Sequence, residues 1–112
     1  MLVINNDQMI AFEAAMQITQ RSVFVDLVAK HQETLGEFSP GQAALALDAA
    51  RDEAARAGID TDARLFIYAM ARMIMPQMTG PQYLLVTDLV FAPLSEPAKL
   101  LAIVAIRDMP NG

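Results

Sequence analysis

Asp60-Thr61-Asp62-Ala63-Arg64-Leu65-Phe66-Ile67-Tyr68-Ala69-Met70-Ala71-Arg72-Met73-Ile74-Met75-Pro76 is the stretch that decides the fold. Its opening acids suit the positive end of a helix dipole, and Pro76 cannot donate the bond a helix interior needs. Between them Leu65, Phe66, Ile67, Ala69, Met70, Ala71, Met73 and Ile74 cover most of the circumference. A helix apolar nearly all round belongs at the centre of a bundle. Only Arg64, Tyr68 and Arg72 break the pattern, and their four-residue spacing places them on one stripe.

Helix punctuation on either side divides the rest of the chain. Ser39-Pro40-Gly41-Gln42 supplies a capping serine, proline at the first helical position and a capping-box glutamine. That helix continues through Ala57, with Gly58-Ile59 as its stop, and its interior is mostly alanine. Asp48 with Arg51, Asp52 with Arg56, and Glu53 with Arg56 are spaced to pair on its surface. Before it, a segment from about Asp7 to Leu35 places Met9, Phe12, Met16, Val23 or Phe24, Leu27, His31 and Leu35 on one helical face. Asn5 or Asn6 is its expected cap, Gly36 its stop, and Thr19-Gln20-Arg21-Ser22 an expected bend. Gly80-Pro81 opens a fourth helix to about Phe91, and Ser95 caps a fifth from Glu96 to Arg107. The expectation is an all-α single domain over 1–112, a compact array of about five helices with the third central. Its expected core is Phe12, Phe24, Leu27, Leu47, Leu65, Phe66, Met70, Met73, Leu85, Leu89, Leu101 and Val104.

Composition narrows the functional classes. At 112 residues the chain is one domain, and 54% apolar with 19% charged residues excludes intrinsic disorder. It has no cysteine, which removes disulfides, thiolate zinc sites and thiol nucleophiles. A net charge of −5 argues against nucleic-acid binding. The N-terminus lacks the basic opening of a signal peptide. The longest apolar run, Leu100 to Ile106, falls short of the ~20 residues that span a bilayer, so the expected location is the cytoplasm.

Candidate chemistry is sparse. His31 stands alone, with neither a nucleophile nor a second metal ligand beside it, and reads as a hydrogen-bonded structural residue. Asp48 and Asp52 share a face, but Arg51 and Arg56 neutralise it, and no calcium loop surrounds either. No phosphate-binding glycine pattern occurs. Ser22, Ser39 and Ser95 read as surface or capping residues. No metal, cofactor or catalytic activity is therefore expected.

Two features point to a protein partner instead. Arginine forks match carboxylates, so Arg64, Tyr68 and Arg72 are suited to grip an acidic segment, unless Asp60, Asp62 or Asp88 engages them internally. Methionines make adaptable surfaces as well as core filler, and Met73, Met75 and Met78 crowd the exit of the same helix. Arg64, Tyr68, Arg72, Met73, Met75 and Met78 are the candidate partner-binding residues. On this reading Arg72→Glu weakens association and leaves the melting temperature nearly unchanged; under internal pairing it costs stability.

The order of features also resembles a known group. Gln8-Met9 with Ala11-Phe12, then Phe24, Leu27, His31, Gly58-Ile59-Asp60-Thr61, Tyr68, Gly80-Pro81 and Ala92-Pro93-Leu94-Ser95-Glu96-Pro97-Ala98 carry the likeness, over roughly residues 1–106. They resemble small helical proteins encoded in bacterial type VI secretion clusters beside effectors and PAAR-type spike-tip proteins. Gln32 after His31 and the missing tryptophan in the fourth helix depart from that pattern. The resemblance implies an accessory factor, either a chaperone or adaptor for a secreted effector or an immunity protein for a toxin. It carries no catalytic residues across. A homodimer, a structural helical homo-oligomer and a small-ligand-binding helical regulator are the other readings.

Overall fold

The computed structural model describes residues 6–110, with the side chains of residue 11 and of 13–110. Among these residues there are six helices and no strand: α1 (Asn6–Lys30), α2 (Gln32–Leu35), α3 (Pro40–Arg56), α4 (Asp62–Ile74), α5 (Gly80–Phe91) and α6 (Glu96–Arg107). The sixth helix arises because the first segment breaks at His31, so the long stripe is delivered in two pieces. The capping role of Asn5 or Asn6 and the core place of Phe12 lie outside the described residues and side chains.

Local chemistry sets the ends where the sequence signals them. Ser39 Oγ accepts from the Gln42 amide at 3.1 Å while Gln42 Oε1 accepts from the Ser39 amide at 2.8 Å, a closed capping box. Thr79 and Gln82 repeat that box at the start of α5, one residue ahead of Gly80-Pro81. Ser95 caps α6. Gly58 takes a φ of 79°, the left-handed region a side chain disfavours, and this lets the Ile59 amide reach back to Ala54.

Helix α4, third by the sequence reading, is the centre of the molecule. It packs on α1, α3, α5 and α6, and Leu65 through Ala71 are all buried. The alanines of α3 allow the tightest approach: Ala43, Ala50 and Ala54 are buried along the face that also presents Leu47. Phe24 from α1 meets Phe66 with ring centroids 5.5 Å apart, tying the first helix to the centre. Of the expected core, Leu85 and Leu101 are exposed instead. Val86 with Leu89 and Leu100 with Ile103 fill those places, because α5 and α6 are each turned by one position from the assumed face. Leu27 and Val104 are half-buried.

Helix α1 is unbroken through Thr19-Gln20-Arg21-Ser22. Those polar residues anchor the helix. Gln20 donates to Asp62 at 2.8 Å and accepts from Arg51 at 2.9 Å, while Arg21 and Arg51 clasp Asp48 between them. His31 has its expected structural role, its Nε2 lying 2.8 Å from a Glu96 carboxylate oxygen and joining the α1–α2 break to α6.

Candidate functional site

The third of the molecule around the α4 exit contains a groove of about 590 Å³ between α3, the loop after α4 and the start of α5. Three of the sequence candidates, Tyr68, Arg72 and Met78, line it together with Glu53, Arg56 and Tyr83. Pro76 and Thr79 complete its lip. Helix α3 presents Glu53 because that residue interrupts the buried alanine face between Ala50 and Ala54. Helix α4 presents Tyr68 and Arg72 one turn apart.

Glu53 organises the floor. Its Oε2 accepts from the Tyr68 hydroxyl at 2.9 Å, and its Oε1 accepts from Arg72 Nη2 at 3.0 Å. Arg72 Nε also lies 3.0 Å from Oε2, a close ionic contact whose angle does not make a second hydrogen bond. The remaining prong, Nη1, donates to the Pro76 carbonyl. A guanidinium here complements the negative helix end and holds the chain as it turns out of α4. The floor is therefore tied together by hydrogen bonds, and the exposed rim carries Arg56 and Tyr83 beside Pro76, Gln77 and Thr79.

Other candidates are placed elsewhere. Arg64 lies outside the groove, 3.5 Å from Asp60 and 4.8 Å from the centre of the Phe91 ring. The reason is geometric: steps of four overshoot a helical turn, so the stripe drifts by about 80° between residues 64 and 72. Met73 and Met75 are buried, so neither presents an exposed side chain to the groove, and Met78 is half-buried at the groove wall. Arg72 and Pro76 also border a smaller, more apolar depression of about 360 Å³ with Phe38, Leu45 and Met73.

Glu53 is the residue that sequence reading misassigned. Spacing pairs it with Arg56 and leaves Asp60, Asp62 or Asp88 to meet the arginines. Asp60 does meet Arg64. The signal for Glu53 was available: a carboxylate set in a stripe of buried alanines must find a donor.

The site has a measurable electrostatic signature. Burial first, and the bond to the Glu53 carboxylate second, push the Tyr68 phenol well above its ordinary value of 10.0. A raised pKa on a group that is neutral when protonated stabilises the fold below pH ~10 and loses that contribution as pH climbs past it. The chain has two tyrosines, so Tyr83→Phe leaves Tyr68 as the sole phenol. Its phenolate absorbance should rise only well above pH ~10, together with unfolding. A folded titration centred near 10 would contradict the Glu53–Tyr68 bond.

Among the described residues no cluster of three or more His, Asp or Glu is placed to hold a metal ion, and no helix is long and apolar enough to cross a membrane. Comparison with protein-family models, with curated proteins and with solved structures returns no match to this chain.

Proposed function

We propose that this protein is a non-catalytic, cytoplasmic protein-binding accessory factor, a chaperone or adaptor for a type VI secretion effector. The groove at the α4 exit is the observation that carries the protein-binding part. Its hydrogen-bonded Glu53–Tyr68–Arg72 floor is bordered by an exposed arginine, an exposed tyrosine and a methionine, the side-chain types that anchor protein interfaces. Arg56 is suited to a carboxylate of the partner, and Tyr83 and Met78 to an apolar anchor beside it. The secretion context rests on the resemblance in the order of sequence features. The polar groups that chemistry would need are engaged structurally, His31 by Glu96 and Ser39 and Ser95 by helix amides.

The net charge of −5 favours a second reading, an immunity protein steered toward a basic toxin. Reconstitution with the effector encoded by the neighbouring gene separates the two. A chaperone raises the effector's stability or loading and leaves its catalysis intact, whereas an immunity protein abolishes catalysis. In the chaperone case, Tyr83→Ala should weaken the complex by about thirtyfold, a hot-spot loss of ~2 kcal/mol, without lowering the melting temperature. Absence of a complex with that effector at micromolar concentration overturns the proposal. Full binding by both Tyr83→Ala and Arg56→Glu removes the groove from it.

A further inference from the structure

Most of the cations in this chain are used inside the fold. Of the eight Lys and Arg residues, Arg21, Arg51, Arg64, Arg72 and Arg107 each hold a carboxylate, and Lys99 donates to the Val90 carbonyl. Among the described residues Arg56 and Lys30 form no ion pair. Asp52 and Glu53 are the acids spaced to meet Arg56 on α3. Neither does, and Glu53 is turned instead toward Tyr68 and Arg72. In the last turn of α3 the charge of Arg56 complements the negative helix end, but that role leaves its N–H donors unspent.

The groove that Arg56 lines is short of acceptors and not of donors. Glu53, Arg56 and Arg72 are its charged residues, so it is positive in a chain whose net charge is −5. One Glu53 oxygen accepts from the Tyr68 hydroxyl and the other from Arg72. A cationic group entering the groove meets a carboxylate that is already engaged. An anionic group meets the open guanidinium of Arg56, and the Glu53 charge that would repel it is offset by Arg72. Exposed Tyr83 and half-buried Met78 add apolar surface to the same groove. Its volume of about 590 Å³ lies within the range that holds a drug-sized ligand, room for roughly two or three amino-acid residues.

We propose that the groove at the α4 exit recognises an acidic peptide segment of its partner, one carboxylate side chain with a large apolar side chain next to it. This rests on the reading of the groove as the partner-binding site and adds the chemistry of what enters it. Arg56 takes the carboxylate with its planar fork, while Tyr83 and Met78 cover the apolar neighbour. Arg56 is exposed to solvent, so its pairing gives selectivity, and the apolar contact gives most of the affinity.

Blocked peptides separate the two contacts, with binding followed by two-dimensional NMR of the full chain. Acetyl-Glu-Phe-amide should bind saturably with a Kd of about 1 mM and shift the backbone amides of Arg56, Met78 and Tyr83. Acetyl-Gln-Phe-amide lacks only the charge and should bind about three- to fivefold more weakly, the span of an exposed ion pair. Acetyl-Glu-Ala-amide should bind about tenfold more weakly. In Arg56→Gln the Glu and Gln peptides should bind equally, a loss of selectivity that a role confined to the end of α3 does not produce. Lys30→Gln removes the other unpaired cation, outside the groove, and should keep the selectivity. The peptide comparison on the wild-type chain stands whether or not Arg56→Gln folds. No saturable binding, equal binding of the Glu and Gln peptides by the wild type, or selectivity that survives Arg56→Gln each overturns the proposal. So does 3-phenylpropionate binding as tightly as the peptide, the mark of a free-acid site. The peptides need no effector, so failure of the effector complex leaves their result intact. An effector that binds through Tyr83 with no such selectivity overturns the acidic segment alone.

Discussion

Phe24→Ala should destabilise the fold by about 3–5 kcal/mol, a third or more of the stability usual for a domain of this size. Phe24 is fully buried, and its ring meets Phe66 of the central helix at a tilt of 39°. Truncation removes the aromatic surface and leaves a cavity against the Phe66 ring in a fully buried part of the core. For about 110 residues the melting temperature should fall by ~12–20 °C. Urea denaturation followed by circular dichroism reads the loss as a lower midpoint with an unchanged slope. Met16→Ala, two turns earlier on the same stripe, should shift stability by less than ~0.5 kcal/mol because that side chain is exposed. Equal effects at the two positions would mean that α1 is not seated on α4 as described.

Arg72→Glu should cost about 2–3 kcal/mol, the second largest effect. The substitution sets a carboxylate against Glu53, deprives the Pro76 carbonyl of its donor and leaves the Tyr68–Glu53 bond in a repulsive field. The pair is partly exposed, with side chains at 26% and 34%, so the loss stays below the ~3–5 kcal/mol of a fully buried broken pair. Arg64→Glu is the contrast. Its partner Asp60 is 78% exposed, and solvent screening should hold the cost under ~1 kcal/mol. The double reversal Glu53→Arg with Arg72→Glu should recover part of the lost stability, which a purely steric defect would not allow. An Arg72→Glu protein with the wild-type melting temperature would refute the Glu53 assignment. It would also restore the reading of Arg72 as a free docking residue.

Local chemistry carried most of the fold. Proline at the first helical position, serine caps, Gly58 and the all-round apolar run of 65–74 act within a turn or two of themselves, and this is why α3, α4, α5 and α6 begin and end near their expected positions. The central place of α4 follows equally from its own residues, since only the narrow Arg64–Tyr68–Arg72 stripe interrupts its apolar surface. Long-range questions came out differently. Gln20 and Arg21 look like defects in a stripe until Asp48, Arg51 and Asp62 arrive from other helices to meet them. Glu53 looks like half of a surface pair until Tyr68 and Arg72 close over it. Leu85 and Leu101 are as apolar as the residues that replaced them in the core, and only the rotation of α5 and α6 against α4 chose between them. Spacing specifies which side chains share a face of one helix. Which faces then meet depends on how three or four helices pack at once, and that decided the partner of every charge and the exposure of every methionine in the candidate site.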